Sequence, residues 1–151
     1  MTYTYTMSNT NLNYLLNSSE ISLERLNGEV VIISFNSGNY YSCVGSAADI
    51  LSLVSKEVDK TLWKEIICSK YKIDDLPVVE VDLFIDECLK ENIIISVNSK
   101  LGGMSNLPDD FTRSSWNTPI LKIYKDFQDL LLVDPIHDSS LTGWPELKDD
   151  N

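Results

Sequence analysis

Residues 29–43 read Glu-Val-Val-Ile-Ile-Ser-Phe-Asn-Ser-Gly-Asn-Tyr-Tyr-Ser-Cys, and this stretch decides the fold. An apolar run, a turn that ends in Gly38 and a short aromatic run predict two strands joined by a three-residue loop, with Gly38 left-handed. Upstream, residues 21–26 alternate apolar and polar and are followed by Asn27-Gly28, a strong hairpin signal. The sequence therefore predicts a three-stranded antiparallel meander over residues 21–26, 29–35 and 39–42.

The last predicted strand, residues 39–42, has no later strand in the local pattern that would pair with it. A strand at the edge of a sheet presents unpaired N–H and C=O groups. Proteins either shield such an edge or use it to bind another extended segment. We interpret this edge as a binding site.

Three helices are predicted after the meander. Gly45-Ser46 begins the first helix, with Ser46 as its N-cap and apolar residues recurring at helical spacing. The second helix spans about residues 59–71, and the third runs from Pro77 to about Glu91. Three strands followed by three helices indicate an α+β, winged-helix-like fold with a C-terminal extension.

Changes in composition divide the chain into four parts. Residues 1–19 are polar and predict a flexible N-terminal segment, although its few large residues could also form one loose strand or pack on the sheet. Residues 20–99 contain the predicted strands and helices. Residues 100–115 lose all periodicity and gather Gly, Ser, Asn, Pro and Asp, which is typical of a linker. Residues 116–151 then form a C-terminal extension.

Composition excludes several classes of function. The formal net charge is −11, so the chain lacks the basic surface that nucleic acids and acidic membranes require. No apolar run is long enough to span a bilayer, and the first residues lack the features of a signal peptide, so we expect a cytoplasmic protein. Cys43, Cys68 and Cys88 are scattered and His137 is the only histidine, so we expect no metal and no cofactor.

DNA binding is the usual function of a winged helix, and the predicted third helix argues against it. Lys90 is the only basic residue between Pro77 and Glu91. Five acidic residues share that helix, and the phosphate backbone would repel them. They are Glu80, Asp82, Asp86, Glu87 and Glu91.

Four stretches together resemble another class of domain. They are Gly-Asn-Tyr-Tyr at residues 38–41, Ala-Ala-Asp-Ile-Leu-Ser-Leu at residues 47–53, Tyr71, and Leu-Lys-Glu-Asn-Ile-Ile at residues 89–94. In order and spacing they resemble the PqqD-like family, also called the RiPP precursor peptide recognition element (RRE), over roughly residues 21–97. RiPPs are ribosomally synthesised, post-translationally modified peptides. The chain has Cys43, Leu51 and Asn92 where the family usually has Leu, Trp and Gly.

The resemblance implies a non-catalytic module that acts as a chaperone for a precursor peptide and delivers it to a modifying enzyme. In the family, the leader of the precursor adds as an antiparallel strand to the third strand and lies beside the third helix. Carried over by position, the strand edge would be Gly38, Asn39, Tyr40, Tyr41 and Ser42. The facing wall of the third helix would be Val79, Asp82, Leu83 and Asp86.

The C-terminal extension contains a segment that resembles a ligand of this family. Trp116, Pro119 and Leu121 have the spacing of the Tyr-x-x-Pro-x-Leu signature of lasso-peptide leaders, with Trp in place of Tyr. Pro119 favours an extended residue before it, and Leu121 and Ile123 alternate as in a strand. The extension either docks on the edge of its own domain, or of a second copy in a dimer, and regulates access, or it covers the sheet or serves as a handle for a partner enzyme.

Two other functions remain open at this stage. The first is an acidic winged-helix scaffold or regulator that binds another folded protein. The second is a small enzyme that uses Asp134, His137 and Asp138. Because no nucleophile and no second histidine stand near His137, a hydrogen-bonded turn explains that cluster better.

Overall fold

The computed structural model describes residues 12–103 and 115–125, and within them the protein is α+β with antiparallel sheets and three α-helices. The elements in chain order are β1 (Asn13–Leu16), β2 (Ile21–Leu26), β3 (Glu29–Ser34), β4 (Tyr40–Val44), α1 (Ser46–Ser55), a 3-10 turn (Lys60–Leu62), α2 (Trp63–Tyr71), α3 (Val78–Lys90), β5 (Ile94–Val97) and β6 (Lys122–Tyr124).

Strands β2, β3 and β4 form the antiparallel meander that the sequence predicts. The β2–β3 hairpin turns on Asn27 and Gly28, whose φ angles are 50° and 86°. A two-residue type I′ turn requires positive φ at both central positions, and the Asn-Gly pair tolerates this best. Gly38 has a φ of 76°, as predicted for the loop between β3 and β4.

The meander is part of a larger sheet than predicted. Strand β6 pairs antiparallel with β4, so the sheet has four strands in the order β2-β3-β4-β6. The predicted three-stranded sheet is therefore wrong in its number of strands. Strand β6 has three residues and is separated from β4 by all three helices, so no local pattern in the sequence identifies its partner.

The N-terminal part of the chain contributes a strand where we predicted a flexible segment over residues 1–19. Strand β1 pairs with β5 in a separate two-stranded sheet. The side chain of Asn13 fixes β1, because it donates to Asp59 at 2.9 Å and to the carbonyl of Ser99 at 2.7 Å and accepts from the backbone N–H of Lys60 at 2.6 Å. Residues 1–11 lie outside the described residues.

The core lies on one face of the four-stranded sheet. Val30 and Ile32 of β3 are fully buried on this face, and α1 is buried along almost its whole length, from Ser46 to Val54. Val31 and Ile33, on the outer face, are only half-buried. One sheet face and the helices therefore share the hydrophobic core, and the outer face keeps apolar surface in contact with solvent.

The helices follow the predicted order. Helix α2 follows a 3-10 turn whose N-cap is Asp59, and the Asp59 carboxylate accepts from the backbone N–H of Thr61. Helix α3 has 13 residues and is followed by Asn92, whose φ of 62° matches the predicted left-handed stop. Within the described ranges no helix combines the length and apolar content needed to cross a membrane.

Candidate functional site

The edge of β4 that the sequence singles out is occupied by a strand of the C-terminal extension. Strand β6 lies antiparallel to it over three residue pairs. Gly38 and Asn39 precede this ladder. Their backbone groups bond instead to Ser34, the last residue of β3. The pairs are Tyr40 with Tyr124, Tyr41 with Ile123, and Ser42 with Lys122.

The two tyrosines of β4 point to opposite faces of the sheet. Tyr41 is buried in the core, and its hydroxyl donates to Glu91 Oε1 at 2.9 Å. Burial raises the pKa of Tyr41 above its ordinary value, so this hydroxyl stays protonated and acts as a donor. Tyr40 is half-buried on the outer face, where its ring lies 5.3 Å from the ring of Tyr124. Tyr41 therefore ties β4 to the end of α3, and Tyr40 stacks against the added strand.

Trp116 anchors the other end of the docked segment. Its indole Nε1–H donates to Glu80 Oε1 on α3 at 2.9 Å. Its ring meets Tyr71, at the end of α2, edge to face with centroids 5.4 Å apart and an interplanar angle of 87°. This is a favoured geometry for an aromatic pair. The indole is therefore held by both a hydrogen bond and a ring contact.

Between Trp116 and β6 the chain is fixed at several points. The hydroxyl of Ser46 donates to the carbonyl oxygen of Asn117 at 2.5 Å. Pro119 and Leu121 are buried, whereas Ile120 between them is 62% exposed. Inward and outward side chains alternate here as they do along a strand, and Ile123 continues the inward set.

These contacts define a continuous site that we call the tail groove, lined by Ser46, Tyr71, Glu80 and the edge of β4. The four motif residues that the sequence singled out all lie on its inner side. They are Trp116, Pro119, Leu121 and Ile123.

The docked segment differs in charge from the rest of the chain. Residues 115–125 contain Lys122 and Lys125 and no acidic residue, whereas the whole chain has a formal net charge of −11. Glu80 and Glu91 both contact the groove or the strand that forms its edge. Both lysines are exposed, so the backbone ladder and the buried side chains hold the docked segment, and the positive charge acts only through the general field of an acidic chain.

The wall of the groove comes from a different face of α3 than the one we predicted. On α3, Glu80 accepts the hydrogen bond from the docked segment, and it is rotated about 100° around the helix from Val79. Val79 and Leu83 are 72% and 63% exposed. Asp82 instead forms an ion pair with Lys60 at 3.6 Å, and Asp86 is exposed. None of the hydrogen bonds and ion pairs described above joins Val79, Asp82, Leu83 or Asp86 to the tail.

Several groove residues were missed by the sequence argument. We predicted Ser46 as an N-cap, but Gly45 holds that position and the Ser46 side chain makes no capping bond. Tyr71 belongs to the stretches that resemble the PqqD-like family, but we predicted no role for it. Glu80 and Glu91 are eleven residues apart and therefore share a helical face, which is the one signal that could have revealed the wall.

A buried ionic network supports the Tyr71 side of the groove. The Tyr71 hydroxyl donates to Asp49 Oδ2 at 2.6 Å, and Asp49 also lies 3.1 Å from Arg25 and 3.1 Å from Lys70. Burial, followed by the bond to Asp49, raises the pKa of Tyr71, so the ring stays neutral and its hydroxyl remains a donor. The network fixes the orientation of the ring that receives Trp116.

The cysteines of β4 and α3 are not nucleophiles at neutral pH. Cys43 and Cys88 are buried, and burial raises the pKa of Cys43 to about 12 and that of Cys88 above its ordinary value. Both are therefore thiols at neutral pH. Residues 12–103 and 115–125 contain no group of three or more His, Cys, Asp or Glu that could hold a metal ion. Asp134, His137 and Asp138 lie outside these ranges.

Comparisons with models of protein families, with curated proteins and with solved structures find no match for this chain. The groove must therefore be interpreted from its own geometry. In this structure a strand edge, an aromatic pocket and buried apolar positions at alternate residues together hold an extended segment of the chain itself.

Proposed function

We propose that this protein is a non-catalytic peptide-binding protein of the PqqD-like, winged-helix-like type, which binds the leader of a precursor peptide in the cytoplasm and presents that precursor to a modifying enzyme. One observation carries the proposal. Strand β4 accepts an extended segment from outside the α+β domain in an antiparallel ladder, with alternate side chains of that segment buried.

The physics of β-strand addition fits a protein that handles peptides. Backbone hydrogen bonds of a ladder provide affinity that depends little on sequence, and pockets for alternate side chains provide specificity. The tail groove has both features, because β4 provides the ladder and the Tyr71–Glu80 pocket receives an aromatic side chain. The leader-like spacing of Trp116, Pro119 and Leu121 supports a leader as the ligand.

In this proposal the C-terminal extension is an internal competitor for the leader. A tethered segment acts at an effective concentration of about millimolar when its linker is short and flexible. A leader must displace that segment, so its apparent affinity is its intrinsic affinity multiplied by the fraction of molecules whose groove is open. The extension therefore regulates access to the groove.

The test uses a labelled peptide with the sequence of residues 115–125 and the full chain. In one variant the tail is weakened by Trp116→Ala and Leu121→Ala, which remove the half-buried indole and the buried leucine side chain. We expect this variant to bind the labelled peptide at least about tenfold more tightly than the wild-type chain, because its own tail no longer competes. Binding should shift the NMR signals of Tyr40, Tyr41 and Ser42.

The matched control is Ile120→Ala, which truncates an exposed side chain in the same segment. This variant should bind the labelled peptide as the wild type does. A precursor peptide encoded beside this gene should then displace the label. If neither the labelled peptide nor such a precursor binds the weakened variant, the proposed function is wrong.

The second candidate function is a scaffold that binds a folded partner protein. The exposed apolar side chains of Phe35, Val79 and Leu83, which are 65%, 72% and 63% exposed, favour it. The two proposed functions predict different outcomes when a precursor peptide is added. A scaffold forms a stable complex with its folded partner and shows no change at β4 when a precursor peptide is added.

A further inference from the structure

The pocket that receives Trp116 has the chemistry of an indole-binding site. We propose that the tail groove selects extended, basic peptides that carry a tryptophan seven residues before the residue that pairs with Tyr41, and that Glu80 is the residue that selects the indole. This inference rests on the proposed function and specifies the class of peptide that the same groove takes from outside the chain.

Glu80 gives the pocket its selectivity for a donor. Its carboxylate accepts the indole N–H at 2.9 Å, and an ionised carboxylate is an acceptor only. Phenylalanine has no donor, and the hydroxyl of tyrosine projects from the far end of a smaller ring. A site built to hydrogen-bond its ligand rejects analogues that lack the donor, because the site's own polar group loses its partner.

Tyr71 presents a fixed surface for the indole ring. Its hydroxyl is held by Asp49 at 2.6 Å, and Asp49 is held in turn by Arg25 and Lys70 at 3.1 Å each. Asp49 is completely buried, so this arrangement has little freedom. The ring therefore does not need to be ordered when a ligand arrives, and a pre-organised pocket costs less to fill.

The distance between pocket and ladder sets the register of the ligand. Trp116 occupies the pocket and Ile123, seven residues later, pairs with Tyr41. A shift of one residue would turn Leu121 and Ile123 to the outer face and Ile120 to the inner face. The groove therefore requires the tryptophan at one position, with apolar residues at alternate positions after the proline.

The charge of the docked segment identifies the rest of the ligand class. Residues 115–125 contain two lysines and no acidic residue, although the whole chain has a formal net charge of −11. Glu80 and Glu91 place negative charge at the groove and at the strand that forms its edge. A ligand rich in Asp or Glu would meet like charge along this surface.

The experiment compares three labelled peptides on the full chain that carries Trp116→Ala and Leu121→Ala. All three have the sequence of residues 115–125, and the position of Trp116 holds tryptophan, 1-methyltryptophan or phenylalanine. The methyl group removes the N–H donor and keeps the ring. We expect the second and third peptides to bind about tenfold or more weakly than the first. Equal affinity of the three peptides would overturn indole selection and leave the proposed function standing. No binding by any of the three peptides would also overturn indole selection, and the proposed function would fall with it if the precursor peptide does not bind either.

A second measurement does not depend on that double variant. In the otherwise wild-type chain, Glu80→Gln removes the charge of the acceptor, and we expect a shift of the Trp116 indole N–H signal in the NMR spectrum and faster exchange of that proton. Glu65→Gln on α2 is the matched control, because Glu65 is exposed and stands outside the groove. An indole signal that is the same in the Glu80 variant and the control would overturn the role of Glu80.

Discussion

Tyr71 connects the core of the protein to the surface that receives the tail. Its hydroxyl bonds to the fully buried Asp49, and its ring edge contacts Trp116. A buried carboxylate is tolerated only when charged partners and hydrogen bonds replace its water. Arg25 and Lys70 supply this compensation, each at 3.1 Å from Asp49. The Tyr71 side chain therefore contributes both to the stability of the domain and to the shape of the pocket.

Asp59 offers a pH-dependent test at a single residue. The backbone N–H of Leu101, followed by the hydroxyl of Thr61, lowers the pKa of Asp59 from 3.8 to about 2. A carboxyl group with a lowered pKa stabilises the folded state above its unfolded pKa, and this contribution is lost as the pH falls through about 4 towards 2. We expect Asp59→Asn to lower the free energy of unfolding at pH 7 by about 1–2 kcal/mol, after allowance for solvent screening.

Urea denaturation at several pH values measures this effect. The difference between the wild type and Asp59→Asn should narrow steadily below pH 4 and be small at pH 2. Asp74→Asn, at an exposed carboxylate, is the control and should leave the urea midpoint unchanged. A difference for Asp59→Asn that stays constant from pH 7 to pH 2 would contradict the assignment.

The elements of the fold were predictable where the signal is local. Asn27, Gly28 and Gly38 all have positive φ, and glycine and asparagine are the residues that adopt positive φ most readily. The spacing of Trp116, Pro119 and Leu121 was also readable, because alternation and proline depend on neighbours in the chain.

Features that depend on distant contacts were not predictable in the same way. Docking of the extension on β4 was one of two alternatives that the leader-like spacing suggested, whereas the face of α3 at the groove is set by how elements meet in space. We assigned the wall to Val79 and its neighbours by position, from the resemblance to the PqqD-like family, on the less core-like side of the helix. Glu80 lies at the boundary of the core, on the face of α3 that meets the sheet edge. Successive residues of a helix point about 100° apart, so Val79 and Glu80 face different directions.

The docking of β6 on β4 can be tested separately from the stability of the remaining strands. Leu121 is 6% exposed in the groove, whereas Ile120 is 62% exposed on the opposite side. Leu121→Ala removes buried apolar volume that contributes about 2–3 kcal/mol to docking. We expect amide hydrogen exchange at residues 122–124 to become much faster in this variant, while the ladder between β2 and β3 keeps its protection.

Ile120→Ala is the matched control, because the truncated side chain contributes little buried area. Its exchange at residues 122–124 should match that of the wild type. If both variants keep full protection there, the inward side chains do not hold β6 in place, and the backbone ladder alone accounts for docking.

For the molecule as a whole, the main question is whether the tail docks within one chain or between two copies. The described chain carries its own β6 on its own β4. The eleven residues 104–114 separate the two described ranges. At ~3.3–3.6 Å per residue they span at most roughly 40 Å, a length that keeps the tail close to its own groove. An effective concentration of about millimolar then exceeds a micromolar protein concentration by about a thousandfold.

We therefore expect docking within one chain, with no dependence on protein concentration. Exchange protection at residues 122–124 should be the same at about 5 μM and about 200 μM, and sedimentation velocity should show a monomer at both. The control is an equimolar mixture of the wild type and a chain with Trp116→Ala and Leu121→Ala, in which the intact tail should stay on its own chain. Protection that falls on dilution, together with a dimer at high concentration, would show instead that neighbouring copies exchange their tails and that each copy closes the groove of the other.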